Sequence, residues 1–441
     1  MDNIALITLC AFTLGIIAIV VLTVRYRWHA FVAIFFTTVV VGLLSGIKPQ
    51  DVINYVIAGF GDTLGYIAII VVSGMIIGEF LDKTGAAFTL AQTVLKLVGK
   101  AKTGLALAIS GYILAVPVMC SDTAFIILSP IIKGLATGAN LSLTFLSLSL
   151  AVGTYTSFKL IPPSPGPLAI LTMFKADFTK TLALAFVVSL PVFVVGYLWA
   201  KRSVISVQSE IELNSLVDPG SDRELPDAFA TFLPIAFPML LIVLKAIVDS
   251  TIMQDNLLRN IFDFTGHPAI ALPLGIGLLM FSNRNAGMEA VTQWISDGIA
   301  RSAPILLVVG AGGALGSILQ QTGVGDYLGK LLTNAGIPGL LVPFLLAMTL
   351  KITQGSSLVT MFTTPAIVAP VLPSLGISPE IATLATIAGA LAVVHVNDSF
   401  FWVVTRFAGL DVSGGYRNLT TLTLLQGLVA LFMVWTLSWL F

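Results

Sequence analysis

Long apolar runs dominate the chain, and two of them are interrupted by polar residues near the middle. Residues 120–123 (CSDT) divide the apolar stretch 104–133, and residues 353–357 (TQGSS) divide the stretch 339–372. Each apolar half is shorter than the roughly 20 residues that cross a bilayer as a helix. Unpaired backbone groups do not face lipid, so each interruption must face protein or a water-filled cavity. The pattern therefore predicts two re-entrant helical hairpins with polar tips at membrane depth.

Further apolar runs predict membrane-spanning helices around the two hairpins. Those in the first half cover residues 4–24, 30–44, 64–81, 141–160 and 182–200. Those in the second half cover residues 232–247, 269–281, 304–319, 381–396 and 420–440. Amphipathic segments at 87–98 and 324–332 precede the hairpins. The prolines of 161–167 (IPPSPGP) and the polar residues of 395–399 (HVNDS) predict that the fourth span of each half is broken.

Composition narrows the class of protein. Of the residues, 57% are hydrophobic and 10% charged, whereas soluble domains carry about 25% charged residues, so we expect an all-α polytopic membrane protein. The formal net charge is zero, which gives no reason to expect a nucleic-acid partner. Cys10 and Cys120 form neither a disulfide framework nor a zinc pattern. Because catalytic and phosphate-binding motifs are absent, we expect no enzyme activity, no metal site and no cofactor.

The two halves of the chain resemble each other at a nearly constant offset. Residues 74–85 (GMIIGEFLDKTG) match residues 312–323 (GGALGSILQQTG) at an offset of 238. Pro130 and Pro365, which end the two hairpin-tip motifs, are 235 residues apart. Such an offset indicates an internal duplication. With five predicted spans in each half, the second half is inverted in the membrane relative to the first.

The domain organisation follows from the longest polar stretch and from the basic residues. Residues 201–227 predict a cytoplasmic linker between a first repeat, 1–200, and a second repeat, 228–441. When the loop of Arg25 and Arg27 is placed in the cytoplasm, 14 basic residues lie inside and 6 outside, as the positive-inside rule requires. Both termini and the turn between the fourth and fifth spans are then outside.

The polar tips combine helix-capping residues with a position at membrane depth. Ser and Asp favour the N-cap, where they leave backbone N–H groups oriented, and a helix N-terminus carries partial positive charge. Two such ends that meet near the bilayer midplane would bind an anionic group, although each could also be a cap and nothing more. The candidate substrate-binding residues of the tips are Ser121, Asp122, Thr123, Gln354, Gly355, Ser356 and Ser357.

Two lysines, Lys159 and Lys351, fall at membrane depth. An ionised lysine there is costly and faces a cavity or a charged partner. Each is therefore either a ligand for a carboxylate or one half of a structural ion pair with Asp122 or Asp398. We favour Lys351 with the second tip as the carboxylate site, and we expect Asp122 not to contact that carboxylate while it is ionised.

The break in the last repeat supplies the remaining candidates. Asn397, Asp398 and Ser399 are predicted to line the substrate site together with the tips. Asp122, His395 and Asp398 are candidates for proton coupling, because a histidine titrates near neutral pH and a desolvated carboxylate gains a proton. Hydroxyls and backbone carbonyls at the tips could instead hold sodium, so the coupling ion stays open.

Several motifs resemble those of the gluconate permease family, the gluconate:proton symporters, over almost the whole chain. They are GFGDTLG at 59–65, GAGGALG at 310–316, PPSP at 162–165 and NDSFFW at 397–402. The second tip is similar to the family's basic residue followed by Gly-Ser-Ala-Thr-Val. Asp122 stands where the family usually has a glutamate, and Lys159 lies where the family often has a histidine.

The resemblance implies a fold of the ion-transporter superfamily, with inverted repeats, a homodimer and an elevator-type movement of a transport domain. Members of the family carry gluconate, other sugar acids and, in one branch, D-serine. We therefore expect a multi-pass protein of the bacterial inner membrane that imports a small hydroxy-carboxylate with a proton. The alternatives are a D-serine-type amino-acid transporter, a sodium-coupled carboxylate transporter and, in another class, a membrane channel.

Overall fold

A computed structural model describes residues 3–86, 89, 93, 103–139, 141–203, 228–251, 257–322, 338–396 and 398–440. All regular secondary structure in these ranges is helical, as the sequence predicts. The predicted linker and both amphipathic segments lie wholly or mostly outside the described residues, and so does Asn397.

The described α-helices number eight in the first half of the chain and ten in the second. Those of the first half are α1 (Asn3–Val24), α2 (Ala30–Leu44), α3 (Pro49–Lys83), α4 (Thr103–Val118), α5 (Ser121–Ala139), α6 (Leu143–Leu160), α7 (Pro165–Met173) and α8 (Phe178–Arg202). Those of the second half are α9 (Ala228–Thr251), α10 (Leu257–Thr265), α11 (Pro268–Ser282), α12 (Met288–Thr322), α13 (Leu341–Gln354), α14 (Ser357–Val368), α15 (Pro379–Leu391), α16 (Ser399–Ala408), α17 (Val412–Gly415) and α18 (Thr421–Leu437). A π-helical turn, Tyr416–Thr420, leads into α18.

Among the described residues, three helical segments are long and apolar enough to cross a membrane by themselves: α8, α12 and the run Val412–Leu437. Two bent pairs also qualify when each is taken as one span: Pro49–Gly65 with Ala68–Lys83, bent by 47°, and Arg259–Thr265 with Pro268–Ser282, bent by 69°. Several other predicted spans coincide with apolar helices of 10–17 residues, among them Ala30–Leu44 and Pro379–Leu391, and α6 has 18 residues.

The predicted spans 64–81 and 304–319 are too short. The helices that contain them, α3 and α12, each have 35 residues and begin 15 and 16 residues earlier. Their first halves carry polar side chains, which lower the local hydropathy without preventing helix formation. Hydropathy therefore finds the part of a helix that is apolar enough for lipid and misses its amphipathic extension.

The chain interrupts the helix at both predicted tips. Met119 and Cys120 separate α4 from α5, and Met119 has a left-handed backbone with a φ of 54°, which is uncommon for a residue with a side chain. Gly355 and Ser356 separate α13 from α14, and Gly355 has a φ of 79°. The two broken spans also appear, since α6 and α15 each end before an irregular segment that leads into a further helix.

The longest helices, α3 and α12, run antiparallel and pack along their whole length. They cross where a Cβ on Gly313 would lie 2.0 Å from the Thr63 hydroxyl oxygen and 2.5 Å from the Gly59 carbonyl oxygen. Only glycine permits this approach of two backbones, which is how small residues act in membrane helix packing. The motifs 59–65 and 310–316 therefore form the crossing point of α3 and α12.

The helices divide into two groups by their contacts. In one, α2 and α11 flank the α3–α12 pair, with α1 and α9 outside them. In the other, α6 packs on α4, α5 and α8, and α15 packs on α13, α14 and α18. Nearly every side chain of α6 and α15 is buried, so both helices lie at the centre of this second group. The groups meet where α3 contacts α4 and α7, where α12 contacts α14 and α7, and where α1 contacts α13.

Candidate functional site

Hydrogen bonds connect the first tip to the break between α15 and α16. The Ser399 hydroxyl, at the start of α16, donates to Asp122 Oδ2 at 2.6 Å. The Ser121 hydroxyl donates to the other carboxylate oxygen, Oδ1, at 3.1 Å. The N-termini of α5 and α16 therefore meet at the Asp122 carboxylate, and no cationic group lies within 4 Å of it among the described residues.

An ion pair connects the second tip to the same break. Lys351, in the last turn of α13, is fully buried and pairs with Asp398 Oδ2. Its ammonium also donates to the Gly355 carbonyl oxygen in the tip. Asp398 caps α16, because its Oδ1 accepts from the Phe400 amide at 3.0 Å. Of the two sequence interpretations of Lys351, the geometry matches the structural ion pair.

Tyr155 on α6 joins the second tip to the end of α15. Its hydroxyl lies 3.3 Å from the Ser357 hydroxyl and donates to the Leu391 carbonyl oxygen at 3.2 Å. Its ring stacks on Phe400 with centroids 5.1 Å apart and an interplanar angle of 17°. Ser356 caps α14 by accepting from the Val359 amide at 3.3 Å. One buried side chain thus touches α14, α15 and α16 together.

Lys159 lies one helical turn after Tyr155 and is 5% exposed. Its ammonium lies 4.6 Å from the centroid of the Phe158 ring and 5.2 Å from that of Tyr155. Among the described residues, no carboxylate oxygen lies within 4 Å of it, although Asp122 and Asp398 attract it from farther away. A buried ammonium held on aromatic rings without an ion-pair partner can accept an anion.

The remaining candidates surround the same breaks. Thr123 lies in the first turn of α5, and Gln354 is the last residue of α13. His395 contacts the Ile352 carbonyl oxygen through Nε2 at 2.9 Å, so this ring nitrogen carries a hydrogen. Of all the predicted site residues, Asn397 alone lies outside the described part of the chain.

The site brings two cations and two anions together in a mostly buried space. When all four are ionised, Lys159, Lys351, Asp122 and Asp398 carry no net charge. Lys351 and Asp398 neutralise each other directly, whereas Lys159 and Asp122 have no partner at ion-pair distance in the part of the chain that the structure describes. These two groups, with the hydroxyls of the tips, are what the cluster offers to a small polar ligand.

Sequence reasoning did not find Tyr155 and Phe400 as part of the site. Both lie in apolar runs, where an aromatic residue looks like ordinary core. The one sequence signal is that Tyr155 and Lys159 are four residues apart on a helix, which places them on one face.

A bundle of apolar helices, with broken helices that place polar groups in its interior, defines a membrane transporter. The sequence model for GntP family permeases matches residues 7–440, and the chain belongs to this family. It is a multi-pass integral protein of the bacterial inner membrane, and its relatives are permeases and transporters, not enzymes.

Individual proteins show the same relationship. The chain is 28% identical to a gluconate permease of Pseudomonas aeruginosa, over 96% of each chain. It is 27% identical to the D-serine transporter DsdX of Escherichia coli K12, over 97% of each chain. Its fold is similar to the crystal structure of the YdaH transporter of Alcanivorax borkumensis, with a TM-score of 0.64 at 15% identity, over 95% of this chain and 97% of that one.

Proposed function

We propose that the protein is a proton-coupled symporter that imports a small hydroxy-carboxylate, such as gluconate or a related sugar acid. The single observation that carries this proposal is the Lys159 ammonium, which is buried beside the helix breaks without an ion-pair partner among the described residues. A substrate carboxylate supplies that partner. The tip serines and Ser399 provide hydroxyl groups for the rest of a polyhydroxylated chain.

In this proposal the Lys351–Asp398 pair has a supporting role. The pair joins α13 to α16 and already satisfies both charges. Lys351 then contributes to the positive potential of the site without binding the carboxylate through a full ion pair. This assignment moves the direct contact from Lys351, which the sequence favours, to Lys159.

Charge balance supports coupling to a proton. The four ionised groups sum to zero, so an anionic substrate alone would leave a net negative charge in a space of low dielectric constant. Protonation of Asp122 removes that charge, and Asp122 is the site carboxylate that has no cation at ion-pair distance among the residues described by the structure. Binding of the anion and binding of the proton therefore favour each other. His395 and Asp398 remain the other candidates for the proton.

The family resemblance extends the proposal to the whole molecule. We assign residues 1–200 and 228–441 to two inverted repeats that residues 201–227 link, in a homodimer. The hairpins α4–α5 and α13–α14 and the broken spans form the mobile transport domain. The α3–α12 pair and its neighbours form the scaffold. The separate grouping of helix contacts supports this division.

The D-serine-type alternative uses the same residues differently. An amino-acid zwitterion would place its carboxylate at Lys159 and its ammonium at Asp122, and a relative named as a D-serine transporter keeps this alternative open. Sodium in place of the proton would use the tip hydroxyls and carbonyls. A channel would show conductance without saturable uptake.

Uptake by proteoliposomes tests the proposal. Labelled gluconate should accumulate saturably when the outside is more acidic and should not respond to a sodium gradient. Asp122→Asn should keep gluconate binding while losing the response to the proton gradient, because the amide cannot exchange a proton. If D-serine accumulates and gluconate does not, the amino-acid alternative is correct. If neither moves nor binds, the proposed function is wrong.

A further inference from the structure

A second polar cavity lies away from the helix breaks, between α3, α7, α12 and the end of α14. Its volume is about 460 Å³, within the range of small-molecule sites. Two charged side chains, Asp62 and Lys175, line it together with the polar side chains of Thr63, Ser317 and Gln320. A wall of this composition between membrane helices must face water or a polar ligand.

This cavity is distinct from the candidate site at the tips. It is lined by Ala369, just after the end of α14, whereas Ser357 of the tip begins that helix. At 1.5 Å per residue, twelve residues of helix separate the two places by roughly 18 Å. On α7, Pro165 at the N-terminus follows the break after α6, whereas Met173 at the C-terminus lines the cavity, and roughly 12 Å of helix separates them.

Glycines keep the cavity open. Gly59, Gly312, Gly313 and Gly316 all line it, and they belong to the crossing of α3 and α12. A Cβ on Gly316 would meet no atom within 4 Å, so it would project into open space. The absence of side chains at the crossing thus has two effects: the backbones approach closely, and a space remains beside them.

The charges of the cavity are complementary to a hydroxy acid. Among the described residues, neither Asp62 nor Lys175 has an oppositely charged group within 4 Å, so the two do not neutralise each other. An ammonium binds a carboxylate, and the aspartate and amide accept hydrogen bonds from hydroxyl groups. The basic-residue distribution predicts that the turn bearing Lys175 faces the outside.

We propose that this cavity is a second substrate site, which captures the hydroxy acid on the outer side before it reaches the tips. The carboxylate binds Lys175, and the hydroxyl groups bind Asp62 and Gln320. This inference rests on the proposed function, since it takes the transported hydroxy acid as the ligand. The second site shares no residue with the candidate site at the tips.

Cysteine labelling tests the second site directly. Thr172→Cys, at a lining position that is not one of the proposed ligands, should react with a membrane-impermeant maleimide added from outside, and peptide mapping should quantify the product at that position. Gluconate should slow the reaction, whereas sorbitol, a neutral polyol of similar length, should not. The protection should persist when Lys159→Gln is added, and it should be lost when Lys175→Gln is added. Equal labelling with and without gluconate, in a protein that transports gluconate, would refute the second site.

Uptake kinetics provide the second test. Lys175→Gln should raise the KM for gluconate about three- to five-fold, the size expected for loss of an exposed ion pair. The matched control is Lys180→Gln, an exposed lysine near the same turn that does not line the cavity. Gly316→Leu should fill the cavity and cause loss of most uptake, while the site at the tips still binds gluconate in detergent.

The control for filling is Gly277→Leu on α11, where a Cβ also meets no atom within 4 Å and which does not line this cavity. Normal uptake by Lys175→Gln and Gly316→Leu would overturn the inference and leave the proposed function intact. Failure of the wild-type protein to bind or move any hydroxy acid would instead refute the proposed function itself.

Discussion

At the scale of single residues, the site depends on which charges are already neutralised. Lys351 and Lys159 look equivalent in the sequence, since both are lysines at membrane depth beside a helix break. In the structure Lys351 has a carboxylate and a carbonyl as acceptors, whereas Lys159 rests on two aromatic rings. This difference is the basis of our proposal that the anion binds Lys159 and that Lys351 has a structural role.

Lys159→Gln should weaken gluconate binding by roughly ten- to a hundred-fold, because a charge-assisted hydrogen bond contributes about 1.5–3 kcal/mol. Lys159→Arg should retain most of the affinity, since it keeps the charge. Isothermal titration in detergent measures both, and thermal unfolding serves as the control for folding. An unchanged dissociation constant in folded Lys159→Gln would show that this lysine only packs on Tyr155 and Phe158.

At the scale of secondary-structure elements, the ends of helices decide what the chain does. Four helices begin directly after a tip or a helix break, and their first residues are Ser121, Ser357, Ser399 and Pro165. Each leaves N–H groups without intrahelical partners, which favour an anion. Their mutual positions depend on contacts between elements, above all the Lys351–Asp398 pair and Tyr155.

The ion pair predicts a specific stability pattern. Lys351→Met leaves Asp398 buried without its partner, so we expect a loss of about 3–5 kcal/mol in the free energy of unfolding. Lys351→Met combined with Asp398→Asn should recover much of that loss, since no uncompensated charge remains. Thermal unfolding of the purified variants measures both effects. If Lys351→Met is as stable as the wild type and binds gluconate weakly, Lys351 is instead a direct ligand.

At the scale of the whole molecule, two groups of helices share one contact surface. One group is built around α3 and α12 and the other around α6 and α15, and α14 packs on α12 where they meet. A Cβ on Gly312 would lie 3.4 Å from the Cβ of Ala366, close to the spacing within a disulfide. This pair therefore offers a direct test of relative movement.

The double variant Gly312→Cys with Ala366→Cys should form a disulfide on mild oxidation and lose uptake, because the bond would hold together α12 and α14, which we propose move past each other. Reductant should restore the uptake, and the two single-cysteine variants should be unaffected by either treatment. Full uptake by quantitatively cross-linked protein would show that α12 and α14 do not move past each other during transport.

The sequence by itself determined the membrane class, the all-helical fold, the two interrupted hairpins and the two broken spans. These features depend on local rules, namely the length of apolar runs, the effect of proline and the cost of polar groups in lipid, and local rules act within short stretches of chain. The near-constant offset between matching motifs of the two halves was also visible, because it is a property of the residue order alone, and it predicts a duplication.

Only the tertiary structure decided which polar groups meet. Asp398 lies 47 residues from Lys351, and Ser399 lies 277 residues from Asp122, so no local rule connects either pair. The partners of a buried charge depend on how helices from both halves pack, and that packing also determines where glycines leave open space. The role of Tyr155, the different surroundings of the two lysines and the second cavity beside Asp62 and Lys175 could therefore be found only in three dimensions.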